Sequence, residues 1–289
     1  MRSEQEILQL ILLFASRDEN IRAVILNGSR ANPNAKRDLF QDFDAACLVR
    51  DIRPYLRNWD IVHFFGDPMI VQFPEDMSGP SADGNGHYSY LMQFMDGKRI
   101  DLSFFPPHQW NQPTKDSLTV ALLDKDDLLA SLPPSSERDY LPKPPTDKAF
   151  QDCCNEFWWV CPYVAKGLWR GEVIYAKTML DEVVREQLMR TLIWHFGIKT
   201  DFKMSPGKLG KNFKNVFGQE IVSEIERTYS DADFEHIWES LFTMTTLFRK
   251  IAQQVAFTFG FEYPQGDDDR VSAHLHHVKN LPRDAKEIY

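Results

Sequence analysis

Between residues 131 and 147 the chain carries five prolines, Pro133, Pro134, Pro142, Pro144 and Pro145, with Ser135 and Ser136 among them. Proline lacks an amide donor and clashes with the preceding turn, so neither a helix nor a central strand runs through such a stretch. The patterns on its two sides differ in kind. Before it, a helix over 3–17 puts Ile7, Leu10, Ile11 and Phe14 on one face, and apolar runs of strand length follow at about 21–27, 43–50, 60–65, 68–73, 88–96 and 99–105. Turn-rich stretches lie around Asn32-Pro33-Asn34 and from Ser78-Gly79-Pro80 through Gly84 and Gly86, and an apolar helical pattern near Leu118 to Leu129 closes the region. Beyond the prolines every strong pattern is helical, at about 147–168, 171–196, 218–229 and 231–259, with a Gly/Lys-rich loop over 199–212. The tail from Pro264 reads as polar, a helix cap or solvated extension; its His274, His276 and His277 are a weak metal signal. The expectation is an α+β chain. A mixed sheet of five or six strands with helices on one face fills 1–135, and an α-helical bundle fills 136–289.

Asn27-Gly28-Ser29-Arg30 ends the first of those strands, and Asp42-Phe43-Asp44 opens the second. Glycine lets backbone amides approach a phosphate closely, and Ser29 and Arg30 add a hydroxyl and a guanidinium. Asp42 and Asp44 are two residues apart, so on a strand they point to the same face. On an exposed edge such a pair is only a wet face. After a Gly-Ser turn, it suits a divalent cation that itself holds a nucleotide triphosphate. A third acid, Asp101, sits between Ile100 and Leu102, where an unpaired carboxylate is costly. Lys166, Arg170 and Lys177 recur along the helical half, and Lys208 and Lys211 lie in its glycine loop. They read equally as clamps for the outer phosphates and as a solvated basic face, and Pro206 to Lys211 lacks the spacing of a P-loop. Trp158, Trp159 and Trp169 read first as bundle core, second as a stacking surface.

Composition narrows the partners. The 289 residues carry a formal charge of −9, with a pI near 5.4, which argues against sequence-independent nucleic-acid binding. The same balance permits a cationic small molecule. Glu172, Asp181 and Glu182 could face one, although Glu172 also suits a helix start and Asp181 with Glu182 suits pairing to Arg185. Cys47, Cys153, Cys154 and Cys161 form no disulfide framework and read as core thiols. The first helix is amphipathic rather than a signal peptide, and no run reaches the length of a membrane span. A cytoplasmic chain is expected, as a monomer.

Gly28, Ser29, Arg30, Asp42, Asp44 and Asp101 resemble the Gly-Ser, Asp-x-Asp, Asp pattern of the polymerase-β-like nucleotidyltransferase superfamily. Phe157-Trp158-Trp159-Val160, Pro162 to Glu172, and Gly207-Lys208 with Gly210-Lys211 narrow it: the chain is similar to the streptomycin (aminoglycoside 6-) adenylyltransferases from its first helix to about residue 260. The resemblance implies that the sheet region is the nucleotidyltransferase domain and the bundle a substrate- and nucleotide-clamping domain, with the site in the cleft between them. It further implies AMP transfer from ATP to an aminoglycoside hydroxyl, the 6-hydroxyl of streptomycin, and hence antibiotic resistance. By the same resemblance Asp42, Asp44 and Asp101 are the catalytic, Mg²⁺-binding acids, with Asp101 as metal ligand, general base or both. Gly28, Ser29, Arg30, Lys166 and Lys177 are the nucleotide-binding candidates. Transfer to another hydroxyl acceptor and a non-catalytic nucleotide-binding module of the same fold are the competing readings.

Overall fold

The computed structural model describes residues 1–77, 86–111 and 115–289. The turn-rich stretch from Ser78 through Gly84 lies outside the described residues. Two compact units divide at Asp139/Tyr140, inside the proline-rich segment.

The first unit runs α1 (Glu4–Arg17), β1 (Ile21–Asn27), α2 (Gly28–Ala31), β2 (Phe43–Val49), α3 (Trp59–Phe65), β3 (Pro68–Gln72), α4 (Pro74–Met77), β4 (Tyr88–Phe94), β5 (Arg99–Phe105) and β6 (Thr119–Asp124). The strands form one sheet in the order β3-β4-β5-β2-β1-β6. Only β2 and β5 are parallel, and the other neighbours are antiparallel. Ser3 and Glu6 cap α1 reciprocally, each bonding the other's backbone amide, which fixes where the helix starts. Odd-numbered β2 residues Phe43, Ala45, Cys47 and Val49 pack with Ile7 and Ile11 of α1 and with Ile61, Val62 and Phe65 of α3. Even-numbered Ala46 and Leu48 face the other way, toward Leu128, Leu129 and Trp110. Period-two alternation therefore sets two faces, one under helices and one under loop residues.

Two sequence expectations fail in this unit. The run at 60–65 is helix, not strand. Asn58 caps it by accepting from the Asp60 amide, and Ile61, Val62 and Phe65 bury at helical spacing. The apolar stretch from Leu118 is not a helix: residues 119–124 pair antiparallel along the outer edge of β1. Asp124 ends that strand by accepting from the amides of Leu128 and Leu129. A short apolar run is ambiguous in period, and here the open edge of β1 decides.

The second unit comprises α5 (Asp147–Arg170), α6 (Val173–Thr178), a π-helical segment (Met179–Val184), α7 (Arg185–Lys199), α8 (Gln219–Arg227), α9 (Phe234–Phe259) and α10 (Gln265–Asn280). Its core joins α5, α7 and α9, with Phe157 stacked on Phe248 at 3.7 Å between ring centroids. The tail read as a polar extension is α10. Its Leu275 and Val278 enter the core, and its Asp268 is fully buried. That carboxylate accepts from Arg249 Nε (2.5 Å), Tyr263 Oη (2.7 Å) and Ser272 Oγ (2.9 Å). Three consecutive aspartates look solvated in a sequence, but one of them is a buried anchor. Among the described residues no helix is long and apolar enough to cross a membrane. All four cysteines are free and buried.

Candidate active site

Parallel pairing brings two of the three aspartates side by side. Asp44 lies in register with Asp101 across β2 and β5, and Asn27 lies in register with Asp44 across β1 and β2. Asp101, flanked by inward Ile100 and Leu102, points to the face away from α1 and α3, as does Asp44. Asp42 sits one residue before β2 and comes to the same end of the sheet. An acid in the middle of an apolar run is thus explained by alternation.

Gly28 enforces the approach of the Gly-Ser turn to this cluster. Its φ is +68°, and a Cβ there would lie 2.4 Å from Asp44 Oδ2. Both the backbone angle and the lack of room demand glycine. Its amide donates to Leu118 O at 3.1 Å, and Thr119 Oγ1 donates to Asn27 Oδ1 at 2.9 Å. The edge strand β6 therefore braces the turn. Ser29 follows, half-buried, in the single turn of α2.

Arg30 is spent otherwise. It is only 5% exposed and donates to Asp42 O (Nε, 2.9 Å) and Gln41 O (Nη2, 2.8 Å). It also pairs with Glu4 at 2.8 Å and stacks 3.7 Å above the Phe43 ring. In these contacts it holds the loop that presents Asp42. Among the described residues the side-chain cation bonded to the acids is Arg99, which sequence reading missed. Its Nε and Nη2 donate to the two Asp101 oxygens at 2.9 and 2.7 Å, and Nε lies 3.7 Å from Asp42 Oδ2. A period-two reading would have found it, since Arg99 and Asp101 share a strand face.

The electrostatics follow from crowding. Burial, then the charges of Asp101 and Asp42, push the Asp44 carboxyl up to about 6. Burial raises Asp42 as well, with Arg99 opposing and Asp101 reinforcing. Like charges this close resist joint ionisation unless a cation offsets them. Arg99 is such a cation, and a hard divalent ion suits the same all-oxygen donors. Among the described residues no three His, Cys, Asp or Glu side chains are already gathered around one point; both Asp101 oxygens are taken up by Arg99.

A family model described as Streptomycin adenylyltransferase matches residues 1–278. The chain belongs to that family. It is 38% identical to the aminoglycoside 6-adenylyltransferase of Bacillus subtilis (strain 168) over 93% of this chain and 95% of that one. It is 39% identical to the same-named protein of Campylobacter jejuni over 93% of each. A crystal structure of an aminoglycoside 6-adenyltransferase from Bacillus subtilis aligns over 97% of this chain and 100% of its own, at 33% identity and a TM-score of 0.48.

The helical unit distributes the other candidate residues unevenly. Lys166 lies over the Tyr163 ring at 4.6 Å. Lys177 is ion-paired to Asp181 of the π-helical segment, which also accepts from Arg185 at 2.8 Å. The pairing of Asp181 with Arg185 is the helical-spacing alternative weighed from sequence. Glu172 and Glu182 are exposed, as are Lys208 and Lys211. Trp158 is buried core, Trp169 is half-buried with its Nε1 donating to Leu281 O at 3.2 Å, and Trp159 is 62% exposed.

Proposed function

We propose that this chain transfers the AMP moiety of ATP to a hydroxyl of an aminoglycoside, the 6-hydroxyl of streptomycin, releasing pyrophosphate and so conferring resistance. The observation that carries the reading is the convergence of Asp44 and Asp101 in parallel register beside the Gly28 turn, in a chain that the family model matches almost throughout.

In this reading the acceptor oxygen attacks the α-phosphorus of ATP, the bond to the bridging oxygen breaks, and pyrophosphate leaves. Catalysis is then mainly positioning and charge neutralisation. Gly28 lets the turn come close, the Ser29 amide and hydroxyl receive phosphate oxygens, and Arg30 fixes the Asp42 loop rather than touching nucleotide. Asp42, Asp44 and Asp101 would hold Mg²⁺, which would neutralise the triphosphate and polarise its α-phosphoryl group. A carboxylate of the cluster takes the acceptor's proton. Asp101 is assigned that role by resemblance to the family. Lys166 and Lys177 are assigned to the outer phosphates as basic residues of the helical unit, the charge that a triphosphate most needs. ATP as co-substrate suits action in the cytoplasm.

The test is incubation with ATP, Mg²⁺ and a panel of aminoglycosides, read by mass spectrometry. Streptomycin heavier by one adenylyl group supports the reading. An adenylyl group on some other acceptor keeps the enzyme and replaces the substrate, and no product on any acceptor removes the enzyme.

A further inference from the structure

The Arg99 fork sits where the metal reading needs a positive charge. It takes both oxygens of Asp101 and reaches to 3.7 Å from Asp42. A carboxylate whose two oxygens both accept from one guanidinium keeps only its remaining lone pairs for a cation, and that cation must then sit beside a fixed positive charge. Arg99 can let go. It is the first residue of β5, its side chain is 40% exposed, and no other side chain is bonded to its guanidinium among the described residues. The neighbouring Arg30 has no such freedom, being buried and tied to two carbonyls, Glu4 and the Phe43 ring.

We propose that Arg99 is a built-in counter-ion that competes with the divalent cation for Asp101 and swings off that carboxylate as the cation binds. It keeps three crowded acids compatible with a folded sheet, at the cost of weaker intrinsic metal affinity. Its release ties the arrival of metal to the appearance of a free guanidinium beside the phosphate turn, where the charge suits a nucleotide oxygen. The inference rests on the metal-site reading above, and its test separates the two.

The probe is MnCl₂ alone, with free Mn²⁺ counted by electron paramagnetic resonance, on the full chain and on Arg99→Met and Arg99→Lys. Arg99→Met is expected to bind Mn²⁺ about tenfold more tightly, the scale of one unit charge a few ångströms away in a partly solvated site. Arg99→Lys, a point charge without the fork, should fall between. Arg99→Met should also melt lower than wild type in EDTA and gain more from Mn²⁺. A purely structural role would give the opposite sign, because loosened acids bind metal less well. Unchanged or weaker affinity in the variants, with wild type binding, overturns the inference alone. If Arg99→Met does not fold, the lysine variant carries the same comparison. If wild type takes up no Mn²⁺, the metal-site reading and this inference fall together.

Discussion

Replacing Gly28 by alanine should damage chemistry far more than stability. Two costs arise at this position. The left-handed backbone at φ +68° costs an L-residue about 1–2 kcal/mol. The added methyl would also stand 2.4 Å from Asp44 Oδ2, so the carboxylate must retreat by about 1 Å to reach ordinary contact, and displacement on that scale costs on the order of 10²-fold in rate. Gly171 supplies the control. It caps α5 at φ +79° with nothing within 4 Å of a would-be Cβ, so alanine there meets the strain without the collision. Both variants should lose about 1–2 kcal/mol in urea unfolding. Only Gly28→Ala should lose about 10²-fold in kcat/KM for adenylyl transfer. Gly28→Ala within threefold of wild type would refute the argument that this glycine sets the position of Asp44.

Asp44→Asn should stabilise the fold above pH 6 while removing activity. Burial and the neighbouring acids push the folded carboxyl up to about 6, above the ordinary aspartate value of about 3.9, so the native state binds the proton more tightly. Wild-type stability is therefore highest below about pH 4 with respect to this group and declines as pH rises through 6, by at most roughly 3 kcal/mol. Melting curves from pH 4 to 7 should show that decline in wild type and lose it in the variant. In the helical unit, Asp268→Ala should destabilise by about 3–5 kcal/mol, because it strips the buried carboxylate from Arg249, Tyr263 and Ser272; denaturant midpoints decide. Lys166→Gln and Lys177→Gln should raise the KM for ATP more than that for the acceptor, and equal effects on both would deny them a triphosphate role.

What the sequence made legible was the local chemistry. The Gly-Ser turn and the Asp-x-Asp pair could be read from residue type and alternation, Asp101 joined them by resemblance to the family, and the proline-rich segment marks where strand patterns give way to helical ones. Non-local pairing was not legible. Whether 119–124 is strand or helix depends on the free edge of β1, and whether 60–65 is helix depends on a cap at Asn58 and on the core waiting under Ile61 and Phe65. Arg30 and Arg99 show the same limit at the site. Arg30 follows the Gly-Ser turn and Arg99 precedes Asp101 by two residues, but only the fold reveals that the first grips backbone carbonyls and the second grips Asp101. Asp268 was hidden by its company, since Arg249 and Tyr263 reach it from outside α10.

The proposed site of adenylyl transfer is the carboxylate cluster of Asp42, Asp44 and Asp101. The most direct measurement is single-turnover transfer of labelled AMP from ATP to streptomycin by wild type, Asp44→Asn and Asp101→Asn, at saturating Mg²⁺ and with each variant's melting transition recorded. Loss of roughly 10²-fold or more in each variant, with cooperative melting retained, is the expected result. Transfer within a few-fold of wild type by either folded variant would contradict the claim.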